Sequence, residues 1–268
     1  MTKANAMLKK CIHPLLLRCV SIKYRRKITI VGSENIPSEK QPVIFAVNHT
    51  NGYDFPTTAR IIKKHFYVLA DYTMQNDSLV NILNRLNGCI YVDRKSKSDR
   101  KKAKQTIIQQ LISGDSVLMF PEGTWNLHPS RLLLPLNWGI IDISKQAEVP
   151  IVPIILLYSD EQIYAKVGAP YKPIFDKNVE IKELETVMAT LLWDLMIKVR
   201  ITARESLPED PTDSYIQAQL STYKKFDLAY ETSVILKTQR MLDEPFLHLS
   251  LLKPDLKTAF LFNKRLTG

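Results

Sequence analysis

The sequence lacks the residue patterns that mark several large classes of enzyme and binding protein. Its three cysteines include no Cys-x2-Cys pair and no His-Glu-x2-His segment occurs, so we expect a reducing compartment, no bound metal and no resident cofactor. The absence of a Gly-x-Ser-x-Gly turn argues against a serine hydrolase of the α/β class, which needs that strained nucleophile turn. No helix-turn-helix, ribonucleoprotein-type strand or zinc finger is evident, so nucleic acid is not an expected partner.

The chain also lacks an uninterrupted apolar run of the ~20 residues that cross a bilayer, and no signal-peptide cleavage site is evident. Its net charge is +10, and residues 1–27 contain eight Lys or Arg residues and no acidic residue. Apolar residues between these charges lie at near-helical spacing, which predicts a basic amphipathic helix over residues 1–26. We expect this helix to bind an anionic membrane surface on the cytoplasmic side, as a peripheral or monotopic anchor. Packing of the helix on the core is the alternative.

Short apolar runs alternate with helical patterns from residue 27 onward, which predicts an α/β fold with a wound mixed β-sheet flanked by helices. Strands are expected at 27–31, 43–47, 66–70, 89–92, 117–120 and 151–158, with an edge strand at 168–173. Helices are expected at 55–64, 78–86, 103–112, 140–146, 182–205 and 214–240. We divide the chain into the amphipathic helix at 1–26, an α/β domain at 27–180 and a helical C-terminal appendage at 181–268.

A histidine and a carboxylate, His49 and Asp54, lie five residues apart directly after the apolar run Val43 to Val47. A neutral imidazole can take a proton from a hydroxyl near neutral pH, and a neighbouring carboxylate can hold the ring in the required tautomer. The pattern predicts a general base and its orienting group. An ordinary surface or core pair is the alternative.

A second polar turn, Pro121-Glu122-Gly123-Thr124, follows the short apolar run Val117 to Phe120. In open α/β sheets the loops beyond the strand ends form the crevice where ligands bind. A simple Pro-Glu-Gly reverse turn is the alternative. If the two strands are neighbours, Glu122 and His49 share one site.

Four sequence blocks follow one another along residues 30 to 160. They are Asn48 to Asp54 after the lead-in Gly32 to Pro37, Gly88 to Arg94, Phe120 to Thr124, and Val149 to Ile154. In this order and at these distances the blocks resemble the 1-acylglycerol-3-phosphate acyltransferases of the lysophospholipid acyltransferase superfamily. Four ordered blocks are a stronger signal than any one of them.

The resemblance implies transfer of a fatty acyl group from acyl-CoA or acyl carrier protein to a lysolipid hydroxyl, with 1-acylglycerol-3-phosphate as the leading acceptor and phosphatidate as its product. His49 is the implied general base and Asp54 its orienter, with no covalent intermediate. Arg94 is the implied phosphate ligand, and Glu122 binds or positions the glycerol. The full set of implied substrate-binding residues is Asn48, Arg94, Glu122, Gly123, Thr124 and Trp125.

Trp125 departs from the family pattern, in which an arginine usually follows the Phe-Pro-Glu-Gly-Thr run. One indole N–H cannot replace a bidentate guanidinium on a phosphate dianion. Either Arg94 or Arg131 compensates, or the acceptor is another lysolipid, a glycolipid or a different hydroxyl or amine carrier. Trp125 would then stack on a sugar or pack against an acyl chain.

A non-catalytic, basic nucleic-acid- or membrane-surface-binding protein is the hypothesis from another class, because the sequence pI is 9.4. Charge alone describes non-specific binding. The two classes differ at His49, whose loss abolishes catalysis and spares charge-driven binding.

Overall fold

Seven strands form one sheet in the computed structural model of this protein, which describes residues 13–14, 18, 26–38, 40–50, 52–72, 88–126, 132–158 and 162–199. The strands are β1 (Lys27–Val31), β2 (Ile44–Val47), β3 (Phe66–Asp71), β4 (Cys89–Val92), β5 (Ser116–Met119), β6 (Ile151–Tyr158) and β7 (Gln162–Val167). Their order across the sheet is β1-β7-β6-β2-β5-β3-β4. Neighbouring strands are parallel except for β6 and β7, so the predicted wound mixed sheet is confirmed.

Four α-helices accompany the sheet within the described residues. They are α1 (Asp54–Ile62), α2 (Lys97–Ile112), α3 (Gly139–Ala147) and α4 (Lys177–Val199). The hydroxyl of Ser96 caps α2 by accepting a hydrogen bond from the Asp99 amide at 3.2 Å. Because of this cap, α2 begins six residues before the predicted start at residue 103. The first turns of α2 contain a run of charged residues, so the spacing of apolar residues does not show where the helix begins.

The strand that follows β6 corrects one prediction. We expected a strand at 168–173, but the strand is β7 at Gln162–Val167, and beyond it only Tyr171 forms an isolated bridge, with Ile151. In β7 buried residues alternate with half-buried polar ones, and the sequence shows no apolar run there. Antiparallel pairing with β6 and parallel pairing with β1 place β7 between these two strands.

The core consists of two clusters, one on each face of the sheet. The central strands β2 and β5 are fully buried, as is expected of parallel strands covered on both faces. Of the predicted terminal regions, only His13, Pro14 and Arg18 of the first are described, all helical, and α4 covers part of the last. The helices expected at 78–86 and 214–240 lie outside the described residues. Among the helices that are described, none is long and apolar enough to span a membrane.

Gly32, which precedes the short 3₁₀ helix Ser33–Asn35, is expected to tolerate no side chain. Its φ is +78°, and a Cβ atom there would lie 2.2 Å from the carbonyl oxygen of Val167 in β7. Because a backbone atom cannot rotate away, Gly32→Ala should destabilise the fold by about 1 to 3 kcal/mol. Urea denaturation measures this loss. Gly114→Ala is the matched control, since Gly114 also has positive φ but nothing lies within 4 Å of its Cβ position. Equal losses in the two variants would contradict the steric explanation.

Candidate active site

The loop after β2 is fixed to the neighbouring strand β6 by Asn48. Its side chain is buried, donates to the carbonyl of Leu156 in β6 at 3.0 Å and accepts from the Leu156 amide at 2.7 Å. An amide side chain satisfied in this way by a backbone donor and acceptor holds the loop at a fixed height above the sheet. Asn48 therefore positions the next residue, His49, at the carboxyl end of β2.

The imidazole of His49 is hydrogen-bonded to a buried carboxylate. Its Nδ1 lies 2.8 Å from Oδ2 of Asp54, the first residue of α1, and the two side chains are 17% and 0% exposed. The same carboxylate accepts the Thr50 amide at 2.6 Å and the Thr50 hydroxyl at 3.2 Å. Because an ionised carboxylate only accepts, Nδ1 carries the proton and Nε2 has the free lone pair. This arrangement can accept a proton at Nε2.

Glu122 holds the two polar loops together. It is fully buried; Oε1 accepts the backbone amide of His49 at 2.7 Å and Oε2 accepts that of Leu134 at 2.8 Å. The family resemblance implies that Glu122 binds or positions the glycerol of an acceptor. In the structure both of its carboxylate oxygens accept hydrogen bonds from backbone amides. A buried carboxylate is stabilised by such donors, and in return it fixes the position of the His49 backbone.

Aromatic rings enclose the His49 imidazole. Phe120 stacks on it with ring centroids 4.1 Å apart and planes 17° apart, and Trp125 meets its edge at 6.0 Å. Trp125 is only 2% exposed, so it is part of the wall around His49. Thr124 is buried as well, and its hydroxyl has no hydrogen-bond partner among the described residues.

The carboxyl ends of β3 and β4 contribute an ion pair. Asp71 ends β3 opposite Val92, and Nε of Arg94 lies 2.8 Å from Oδ2 of Asp71. A terminal nitrogen of the Arg94 guanidinium also donates to the carbonyl oxygen of Gly123. Arg94 thereby ties the end of β4 to the turn that contains Glu122.

These groups surround one mouth of a cavity of about 770 Å³. The cavity is lined by His49, Gly123, Asp71 and Arg94 at this polar end, and further charges come from α2 and α3. Most of the remaining wall is apolar and comes from β3, β4, β5, α2 and α3; it includes Val68, Val92, Ile107, Met119, Ile140 and Ile143. A long apolar pocket with a few convergent polar groups is typical of a site for an amphipathic ligand.

The structure brings together His49, Asp54, Arg94, Glu122 and Gly123, which three of the four sequence blocks supply, and Trp125, which directly follows the third block. The sequence gave no indication of Asp71, which pairs with Arg94, and no role for Phe120, which opens the third block and stacks on His49. The available signal for Asp71 is position, since it lies at the carboxyl end of a strand. Arg131 lies outside the described residues. Among the described residues no group of three or more His, Cys, Asp or Glu side chains is placed to hold a metal ion.

Comparison with known proteins gives one consistent result. Residues 27–157 match the acyltransferase family model. The chain is 29% identical over 153 residues to the 1-acyl-sn-glycerol-3-phosphate acyltransferase alpha of Ovis aries, covering 57% of this chain and 52% of that protein. It is 30% identical over 140 residues to the 1-acyl-sn-glycerol-3-phosphate acyltransferase of Borreliella burgdorferi, covering 52% and 54%. The chain thus spans about half the length of these curated relatives.

A crystal structure shares the fold. The 1-acyl-sn-glycerophosphate acyltransferase PlsC of Thermotoga maritima superposes with a TM-score of 0.58 at 20% identity, over 72% of this chain and 81% of that one. The similarity confirms an α/β fold of the same kind.

Proposed function

Because this chain belongs to the acyltransferase family, we propose that it moves a fatty acyl group from a thioester, acyl-CoA or acyl carrier protein, to a hydroxyl of a lysophospholipid. The observation that carries the proposal is the 2.8 Å contact between His49 and the buried Asp54 at the mouth of the apolar cavity. A base beside a pocket that suits a fatty acyl chain is the arrangement such a transfer requires.

The proton path follows from the tautomer of His49. Nε2 takes the proton of the acceptor hydroxyl as its oxygen attacks the thioester carbonyl carbon. Asp54 stabilises the imidazolium that forms, since its carboxylate already binds Nδ1. When the tetrahedral intermediate collapses, the carbon–sulfur bond breaks and the proton passes from His49 to the thiolate. The products are an ester and a free thiol, and the protein ends as it began.

The neighbours of His49 support the same step by limiting its motion. Glu122 binds the backbone of His49, and Phe120 covers one face of the ring. A base held in one orientation loses little entropy when the reacting atoms meet. Asn48 and Glu122 act here as positioning residues, while Arg94 and Gly123 line the cavity on the acceptor's side.

Two acceptor classes fit the proposal. The curated relatives are named for 1-acyl-sn-glycerol-3-phosphate, whose acylation gives phosphatidate. In the family that the sequence resembles, an arginine usually occupies the position of Trp125, which here is a buried apolar side chain. This difference favours a lysolipid without a phosphate monoester, or a glycolipid. We also propose that the basic segment 1–26 binds an anionic membrane surface on the cytoplasmic side.

The test is release of thiol from acyl-CoA and from acyl carrier protein, with each of several lysolipids and with none. We expect acceptor-dependent release, an acylated product by mass spectrometry, and loss of both in a His49→Ala protein. Release without acceptor would indicate a thioesterase instead. No His49-dependent release with any acceptor, combined with retained binding to anionic vesicles, would support the basic binding protein.

A further inference from the structure

The guanidinium of Arg94 is committed to partners within the protein before any acceptor arrives. Its Nε lies 2.8 Å from Asp71, and a terminal nitrogen donates to the Gly123 carbonyl. The Asp71 side chain is 12% exposed and the Arg94 side chain 46% exposed, so the pair lies at the cavity mouth with its carboxylate on the inner side. An arginine used in this way cannot offer its full fork of donors and its whole charge to a phosphate.

The other charges of the cavity are also largely balanced. Three cations and two carboxylates line it: Arg94, Arg100, Lys104, Asp71 and Asp142. Lys104 pairs with Asp142 between α2 and α3. Although burial opposes ionisation of Asp142, the hydrogen bonds from Lys104 and Gln146 lower the pKa of its carboxyl, so that carboxyl is ionised near neutral pH.

Arg100 is the remaining cation. It donates to the backbone carbonyl of Arg94 and has no carboxylate partner among the described residues. It lies in the first turn of α2, next to Arg94, and lines the same cavity. With Arg94 and Lys104 both neutralised, the described residues that line the cavity present one uncompensated positive charge.

We propose that Asp71, by pairing with Arg94, selects a lysophospholipid whose phosphate is a diester bearing a headgroup over one whose phosphate is a monoester. The inference rests on the proposed acyl transfer and names its acceptor class. A phosphate monoester has a second pKa of about 6 and so approaches two negative charges near neutral pH. A diester keeps one, which matches the single uncompensated charge of the cavity.

The alternative acceptor fits less well for a physical reason. To bind a dianion strongly, Arg94 would have to leave Asp71, and that carboxylate would then lie unpaired beside the phosphate. Like charges at such a distance repel, and separating the half-buried pair costs energy as well. A diester avoids both costs, and its headgroup hydroxyl or ammonium can donate to Asp71.

Asp71→Asn tests the inference because asparagine keeps the shape of the side chain and removes its charge. The measured quantity is the ratio of kcat/KM for 1-acylglycerol-3-phosphate to kcat/KM for lysophosphatidylglycerol with the same acyl chain. We expect a ratio below one in the natural protein. In the variant the ratio should rise about tenfold, the effect of one additional charge-assisted hydrogen bond.

Two further variants separate the specific pair from total charge. Asp142→Asn removes the same charge from the same cavity but leaves the Arg94 pair intact, so the ratio should rise clearly less than in Asp71→Asn. Asp71→Asn combined with Arg94→Gln should return the ratio to near the natural value, because Asp71 acts through Arg94. Trp125→Arg is a poorer probe, since it would bury a guanidinium where an indole now packs.

Three results would each overturn the inference while leaving acyl transfer intact. They are a preference of the natural protein for the monoester, an unchanged ratio in Asp71→Asn, and equal shifts of the ratio in Asp71→Asn and Asp142→Asn. Absence of transfer to every acceptor in the natural protein would overturn the proposed function itself.

Discussion

Replacement of His49 by alanine is expected to lower kcat for acyl transfer by about 10²- to 10⁴-fold, the range that a positioned general base contributes. In the proposed mechanism the imidazole Nε2 accepts the proton, since Nδ1 is bound to Asp54 at 2.8 Å. The measurement is steady-state thiol release with a saturating donor and acceptor. Because the side chain is partly exposed and at a strand end, the thermal unfolding midpoint should change little.

Asp54→Asn is the companion variant. An asparagine amide can donate to Nδ1 and so place the imidazole proton on Nε2, where it blocks the reaction, and we expect a loss that approaches that of His49→Ala. The double variant should lose no more than the His49 variant, because the two residues act as a unit. Nearly natural kcat in Asp54→Asn would show that the carboxylate is not needed to orient the ring.

Glu122→Ala is expected to lower the free energy of unfolding by about 2 to 6 kcal/mol, because two buried backbone amides lose their acceptor. Those amides belong to His49 and Leu134, and the Glu122 side chain is fully buried. Urea denaturation measures the loss. Glu122→Gln keeps one acceptor oxygen but turns an amide nitrogen toward the other backbone N–H, so its loss should be intermediate.

Glu185→Ala is the matched control for this loss. Glu185 likewise accepts a backbone amide, that of Leu136 at 2.8 Å, but burial raises the pKa of its carboxyl despite that bond and the charge of Lys182. A group with a raised folded pKa stabilises the fold below its unfolded pKa, and this contribution is lost as the pH rises through the folded pKa. At neutral pH, therefore, Glu185→Ala should cost clearly less than Glu122→Ala. Equal costs would refute the special role of Glu122.

The strands with strong apolar runs were predictable, and β7 was not. β2, β5 and β6 lie within one residue of their predicted bounds, because a buried strand has a continuous apolar run. In β7, Gln162 and Lys166 interrupt any such run, and its place depends on pairing with β6 and β1, which local sequence does not encode. The helix predicted from residue 182 begins at Lys177, because Glu180 in its first turn binds the amides of Ile174 and Phe175.

The pairing of His49 with Asp54 was predictable from the sequence, but the partners of Arg94 and Glu122 were not. The first two of the four blocks supplied His49, Asp54 and Arg94, because the proposed chemical step constrains residue type and spacing. The partner of Arg94 comes from the end of a neighbouring strand, and Glu122 binds backbone amides that belong to distant loops. Such contacts arise from strand order, which a single sequence specifies only through the whole fold.

The bonds that position His49 also have a consequence for how the protein folds. Glu122 reaches His49 across 73 residues of sequence, and Asn48 reaches Leu156 across 108. Parallel pairing over such separations closes large loops and forms slowly, after local helices have appeared. A partly folded chain can therefore contain every catalytic residue and yet be inert. Recovery of turnover during refolding would report arrival at the native topology, later than the recovery of helical signal.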